Sequence, residues 1–204
     1  MTKIKICGLS RPIDIDMVNE VHPDYIGFVF AKSKRQVSAE IAFELKQRLQ
    51  PEIPAVGVFV NEEAEKIIQI CQAGIIDIVQ LHGDESESYL LELKKRISSP
   101  IMKAVRVRTV EDIKRADTMT CDYLLLDAYK EDEYGGSGLT FDWSIIGGIS
   151  KPLFLAGGIN IHNVDKAIKL TRPYCIDVSS GVETEGYKDK KKVMDIITKV
   201  RSVQ

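Results

Sequence analysis

The chain has 204 residues, which at about 150 per domain suits one large domain or two small ones. Its 28 Lys and Arg against 30 Asp and Glu leave a formal charge of −2. That balance argues against a surface given over to nucleic acid, though it allows a local anion site. At 44% hydrophobic and 28% charged, the composition is far from disordered and can bury a real core.

Met1 to Cys7 holds no seven-residue apolar stretch, so a secretory leader is not expected. The longest uncharged run, Pro152 to Val164, is too short to span a bilayer. Cys7, Cys71, Cys121 and Cys175 are widely separated, with no Cys-x-x-Cys pair, which supports neither a metal motif nor a disulfide framework. The expected setting is cytoplasmic.

In chain order, the apolar or β-branched runs are Lys3–Cys7, Tyr25–Phe30, Ala55–Val60, Ile78–Leu81, Ile101–Val105, Tyr123–Asp127, Leu153–Ala156 and Ile176–Ser179. They lack strict alternation, as expected of parallel strands covered on both faces. Helical periods lie between them: Ala64, Ile67, Ile68 and Cys71 fall at i, i+3, i+4, i+7, as do Val193, Ile196, Ile197 and Val200. Ser38, Asn61 and Asn160 or Asn163 stand where helix N-caps belong, and Gly74 and Gly147-Gly148 where helices stop. A short sixth helix is expected over Asp142–Ile146. No linker or charge block divides the chain, so residues 1–204 read as one domain. Eight strand–helix units at a mean spacing of about 25 residues predict an α/β fold, a single (β/α)8 TIM barrel, ahead of an open doubly wound sheet.

In such a barrel the chemistry sits on loops after the C-terminal strand ends. Gly157-Gly158 after strand 7 and Ser179-Ser180-Gly181 after strand 8 can bring several backbone N–H groups to one anion, and together they favour a phosphate site over two ordinary turns. Cys7, at the end of strand 1, is either a small buried hydrophobe or a base or nucleophile. Asp127 closes the run Tyr123 to Leu126; one-sided desolvation would suit it to donate a proton, and the alternative is a helix cap or loop hydrogen-bonder. A thiol and a carboxyl on strands 1 and 6 would face a small substrate between them. Arg35 is either a clamp for a carboxylate or phosphate, or part of a solvated basic loop. His82 reads more readily as a structural hydrogen-bonder than as a catalyst. Tyr134 to Gly138 could be a lid or a flexible connection, and Lys188 to Lys192 a solvated face.

Lys5-Ile6-Cys7-Gly8, Gly27-Phe28-Val29-Phe30, Gly57-Val58-Phe59-Val60, Gln80-Leu81-His82-Gly83, Leu125-Leu126-Asp127, Gly135-Gly136-Ser137-Gly138, Ala156-Gly157-Gly158 and Asp177 to Glu183 together resemble the phosphoribosylanthranilate isomerases of tryptophan biosynthesis. The resemblance runs in register from residue 5 to the last helix. It implies a cofactor-free, metal-free Amadori rearrangement of a small phosphorylated substrate, with Asp127 as general acid and Cys7 as general base. It also implies Arg35 near the anthranilate carboxylate, His82 among the substrate contacts, and Gly157, Gly158, Ser180 and Gly181 around the 5′-phosphate. No nucleic-acid or membrane partner is implied, and the oligomeric state stays open. Two departures are mild: Lys34 precedes Arg35 where many members have proline, and Ile159 to His162 lacks a common proline turn. The rivals are the related aminoaldose-phosphate isomerase of histidine biosynthesis and a non-catalytic sugar-phosphate-binding barrel.

Overall fold

A closed ring of eight strands in chain order forms the centre of the molecule, in a computed structural model that describes residues 1–128 and 141–203. Its elements run β1 (Lys3–Cys7), α1 (Pro12–Val21), β2 (Tyr25–Val29), α2 (Ala39–Arg48), β3 (Ala55–Phe59), α3 (Ala64–Gln72), β4 (Ile78–Leu81), α4 (Glu87–Arg96), β5 (Ile101–Val107), α5 (Val110–Asp117), β6 (Tyr123–Ala128), β7 (Leu153–Leu155), α6 (Val164–Thr171), β8 (Cys175–Val178) and α7 (Lys190–Ser202). Every neighbouring pair in the ring is parallel, and β1 closes on β8 with Lys5 opposite Asp177. No helix among the described residues is long and apolar enough to cross a membrane.

Each strand sends alternate side chains to two different places. Ile4 and Ile6 of β1 pack outward in the layer that also holds Val193, Ile196, Ile197 and Val200 of α7. Burying each such side chain stabilises the fold by about 1.5–3 kcal/mol. The ring's interior holds a separate cluster, with Tyr25, Val56, Ile78, Met102, Leu125, Phe154 and Cys175 contributed by seven strands. Phe154 stands at its centre, with ring centroids 5.4 Å from Tyr25 and 5.5 Å from Tyr123. Lys3 Nζ donates to the Tyr174 hydroxyl (2.8 Å) and lies 4.8 Å from that ring's centroid. The N-terminal end of the barrel is therefore packed shut, and the polar positions fall at the other end.

Several local expectations are revised. Ser38 caps α2 by accepting from Ile41 N, but Asn61 caps nothing. It adopts φ 48° and turns its amide oxygen to Asp84 N (2.8 Å), so α3 begins later, after Glu63. The expected helix over Asp142–Ile146 is a single 3-10 turn, Trp143–Ile145, capped by Asp142. Asn163 precedes α6 without a side-chain cap bond; both Asn160 and Asn163 donate their amides to Gly158 O (3.0 and 2.9 Å) and so brace the loop after β7. Gly74 follows α3 at φ 67°, as its position predicted. After β8 the chain makes a 3-10 turn, Ser180–Val182, and a small antiparallel hairpin, β9 (Glu183–Thr184) with β10 (Tyr187–Lys188). No sequence pattern announced that hairpin. The segment Tyr134 to Gly138 lies outside the described residues.

Candidate active site

The C-terminal mouth of the ring holds a small cavity lined by Cys7, Arg35, Gln80, His82, Asp127, Gly157, Gly158, Asp177 and Ser180, among others. Cys7 comes from β1 and Asp127 from β6, three strands apart around the ring. A larger hollow of about 750 Å³ opens beside β5 and α5, lined by Gly83, Lys103, Arg106 and Met119. Cys7, His82 and Asp127 are not part of its lining, so the convergent chemistry belongs to the smaller one.

Cys7 is 8% exposed. A Cβ on Gly27 would lie 2.7 Å from the Cys7 sulfur, so only glycine on the neighbouring strand leaves the thiol its place. Burial pushes this thiol above its ordinary value, with Asp177 adding to the effect, while the ammonium groups of Lys5 and Lys188 pull it back. Asp127 is 4% exposed. One of its oxygens accepts from Ala128 N (2.8 Å), and the other lies 3.2 Å from His82 Nε2. Gly157 adopts φ 83°, and a Cβ there would meet Ala128 N at 2.6 Å and Asp127 Oδ1 at 3.0 Å. The loop after β7 therefore closes directly on Asp127, and Gly158 continues it at φ 63°. Two successive glycines at positive φ bring bare backbone, with no side chain in the way, to the edge of the cavity, where its N–H groups could approach an anion.

Ser180 lines the cavity. Gly181 does not: it packs against the β7 loop, where a Cβ would meet Ile159 O at 2.0 Å. Its lack of a side chain lets the two loops touch.

Arg35 is half-buried and paired, not part of a solvated basic loop. Its Nε and Nη2 each donate to the Glu183 carboxylate at 2.7 Å, and hydrogen bonding to that carboxylate raises the guanidinium further. Lys188 Nζ joins the same carboxylate at 2.5 Å and donates to Ser179 O at 2.9 Å, with its side chain 1% exposed. The basic run expected on the surface thus loses its first member to the interior, because the β9–β10 hairpin folds Glu183 back over the mouth. Burial would raise the Glu183 carboxyl, but Arg35 and Lys188 outweigh it, and it rests below the usual range.

Three interior residues had been given no role from sequence. Lys5 Nζ donates to Gln80 Oε1 (2.6 Å) and to Asp177 Oδ2 (2.9 Å). Burial works against the Lys5 ammonium, but Asp177 beside it keeps it charged. Gln80 Nε2 lies 2.9 Å from His82 Nδ1. Asp177 Oδ1 is buried with no hydrogen-bond partner among the described residues, which leaves an acceptor at the cavity. The signal is present in the sequence: Gln80 and Asp177 are the single polar residues of β4 and β8, and Lys5 stands between Ile4 and Ile6 inside β1.

The family model for N-(5′-phosphoribosyl)anthranilate (PRA) isomerase matches residues 4–199. The N-(5′-phosphoribosyl)anthranilate isomerase of Thermoanaerobacter pseudethanolicus is 47% identical over 206 residues, covering 100% of both chains. The crystal structure of phosphoribosyl anthranilate isomerase from Thermotoga maritima matches with a TM-score of 0.88 at 37% identity, over 98% of this chain and 99% of that one. Another solved structure of such an isomerase, in complex with reduced 1-(o-carboxyphenylamino)-1-deoxyribulose 5-phosphate, matches at a TM-score of 0.83 and 35% identity, over 98% and 99% of the two chains.

Proposed function

The chain belongs to the N-(5′-phosphoribosyl)anthranilate isomerase family, and from that premise we propose that it converts N-(5′-phosphoribosyl)anthranilate to 1-(o-carboxyphenylamino)-1-deoxyribulose 5-phosphate in tryptophan biosynthesis. Asp127 is the general acid and Cys7 the general base. The observation that supports these roles best is that a thiol and a carboxyl, both buried, enter one cavity from different strands beside paired left-handed glycines.

Asp127 gives its proton to the ribose ring oxygen; the C1′–O bond breaks, and the anthranilate nitrogen becomes an iminium. That cation is the electron sink that makes the C2′ proton acidic. The Cys7 thiolate takes it, and the electron pair moves to form the enolamine, which tautomerises to the ketone. Burial has two opposed effects on the base. It reduces the thiolate population, yet each thiolate formed is a stronger proton acceptor, and the Lys5 and Lys188 ammonium groups keep that form within reach. Holding acid and base around one fixed substrate removes most of the entropic barrier to the two transfers. Gly157, Gly158 and Ser180 would receive the 5′-phosphate, with Gly181 setting the distance between their loops. Arg35 would meet the anthranilate carboxylate with the N–H groups that Glu183 leaves over.

Substrate fluorescence, with phosphoribosylanthranilate generated in situ, tests this directly. Cys7→Ser and Asp127→Asn should each lower kcat by about 10²–10⁴-fold with phosphate affinity nearly unchanged. Full turnover by either variant would remove that residue from the pair. No conversion by folded wild type would favour a barrel that only binds sugar phosphates.

A further inference from the structure

The buried side chains Lys5, Gln80 and His82 lead from the base side of the cavity to the acid. We propose that they form a positioning device that holds His82 as the neutral imidazole with its proton on Nε2, so that Asp127 is oriented by a hydrogen bond without acquiring a cationic neighbour. This rests on the reading of Asp127 as the acid.

The argument fixes one proton at a time. An ammonium has donors only, so the Gln80 atom 2.6 Å from Lys5 Nζ must be the amide oxygen. The other end of that amide is then an NH₂, and it donates to His82 Nδ1 at 2.9 Å. A ring nitrogen that accepts carries no proton, so the imidazole's proton is on Nε2, 3.2 Å from Asp127 Oδ2. Asp177 anchors the start of the chain by holding Lys5 from β8 at 2.9 Å. Protonating Nδ1 as well would set an N–H against the amide NH₂, and the amide cannot turn over while Lys5 holds its oxygen.

Among the described residues, the surroundings of His82 supply no competing partner. Gln80 of β4 lies two residues before it, Asp127 faces it from β6, and β3 brings apolar Val58 to the same cavity. On β5, Arg106 pairs with Asp84 at 2.7 Å, and Lys103 pairs with Glu85 at 2.8 Å. Cys7 approaches from β1 across the cavity, with Arg35 at its rim.

The purpose follows from what an acid needs. An imidazolium beside Asp127 would hold the carboxyl ionised and unable to donate; a neutral ring fixes its orientation at far smaller electrostatic cost.

The test is Gln80→Glu, which is nearly isosteric and retains a partner for Lys5, but puts an acceptor where His82 Nδ1 now finds a donor. The chain has three histidines, so ¹⁵N-histidine spectra can be assigned by His82→Gln. Wild type should show His82 as the Nε2–H tautomer at pH 7, and Gln80→Glu should show it doubly protonated. That variant should lose about tenfold or more in kcat with KM moving less than about twofold. A wild-type ring protonated on Nδ1, or an unchanged kcat in a Gln80→Glu protein whose His82 has become cationic, overturns the proposal. The spectra report the tautomer whatever Asp127 does, so full activity in Asp127→Asn would be recognised separately as failure of the acid assignment.

Discussion

A single absent methyl group decides whether Cys7 can stand where it does. Gly27 on β2 pairs with Cys7 across the sheet, and a Cβ there would approach the sulfur to 2.7 Å. Gly27→Ala should cost about 1–3 kcal/mol as overpacking and, if Cys7 is the base we propose, lower kcat by displacing its thiol. A urea midpoint and steady-state kinetics would check both, and unchanged kinetics would mean the thiol has room to spare. The same residue carries a pH prediction. Burial raises the Cys7 thiol, so in the free protein iodoacetamide alkylation should climb with pH and reach its midpoint above the ordinary value of 9.0. Subtracting the rate of Cys7→Ser isolates this site. Lys188 pulls the thiol down, so Lys188→Met should move the midpoint further up, and a downward movement would contradict that role. The place of Cys7 and Asp127 at the mouth is legible in sequence, because a polar residue ending an apolar barrel strand points there. The proton arrangement joining them is not, since it depends on which atoms of Gln80 and His82 meet in space.

Among the elements, the hairpin β9–β10 contributes more than its four strand residues suggest. It supplies Glu183, which holds Arg35 and Lys188 in one cluster beside the cavity. Removing a buried partner leaves uncompensated cations, so Glu183→Gln should cost about 3 kcal/mol near neutrality and raise KM by releasing Arg35. The pH sign follows from the carboxyl resting below its usual value of 4.5. Its contribution is present above that value and fades as pH falls through the lower, folded one. Wild type and Glu183→Gln should therefore converge in stability under acid, which unfolding midpoints at pH 7 and pH 3 would show; a constant gap would refute the ionic account. Strands of two residues fall below any periodicity a sequence can display, and a row of lysines reads as surface until the hairpin returns one of them to the interior. The long, evenly spaced strands were readable because eight apolar runs admit few other closed arrangements. Helix starts were read less well: Asn61 has the chemistry of a cap, but its amide is taken by the loop after β4.

Along the axis of the whole barrel, the interior divides into two halves with different duties. Toward the N-terminal end, Phe154 and the tyrosines around it form an apolar plug. Toward the C-terminal end the same ring carries Lys5, Gln80, His82, Asp127 and Asp177, each buried. A buried ionic chain is weak support for stability, because desolvation consumes most of the attraction gained. The plug and the apolar layer outside the ring therefore carry the fold, while the polar end holds the residues proposed for the chemistry. This separation predicts opposite outcomes for two substitutions. Phe154→Ala should cost about 3–5 kcal/mol and leave kcat near wild type at a temperature where the protein is still folded. Asp127→Asn keeps its volume and should barely move the unfolding midpoint while lowering kcat by about 10²–10⁴-fold. Urea unfolding and kinetics on the same two samples decide the matter. If Phe154→Ala loses turnover while still folded, packing at the closed end is transmitted to the acid, and the two halves of the barrel are one mechanical unit.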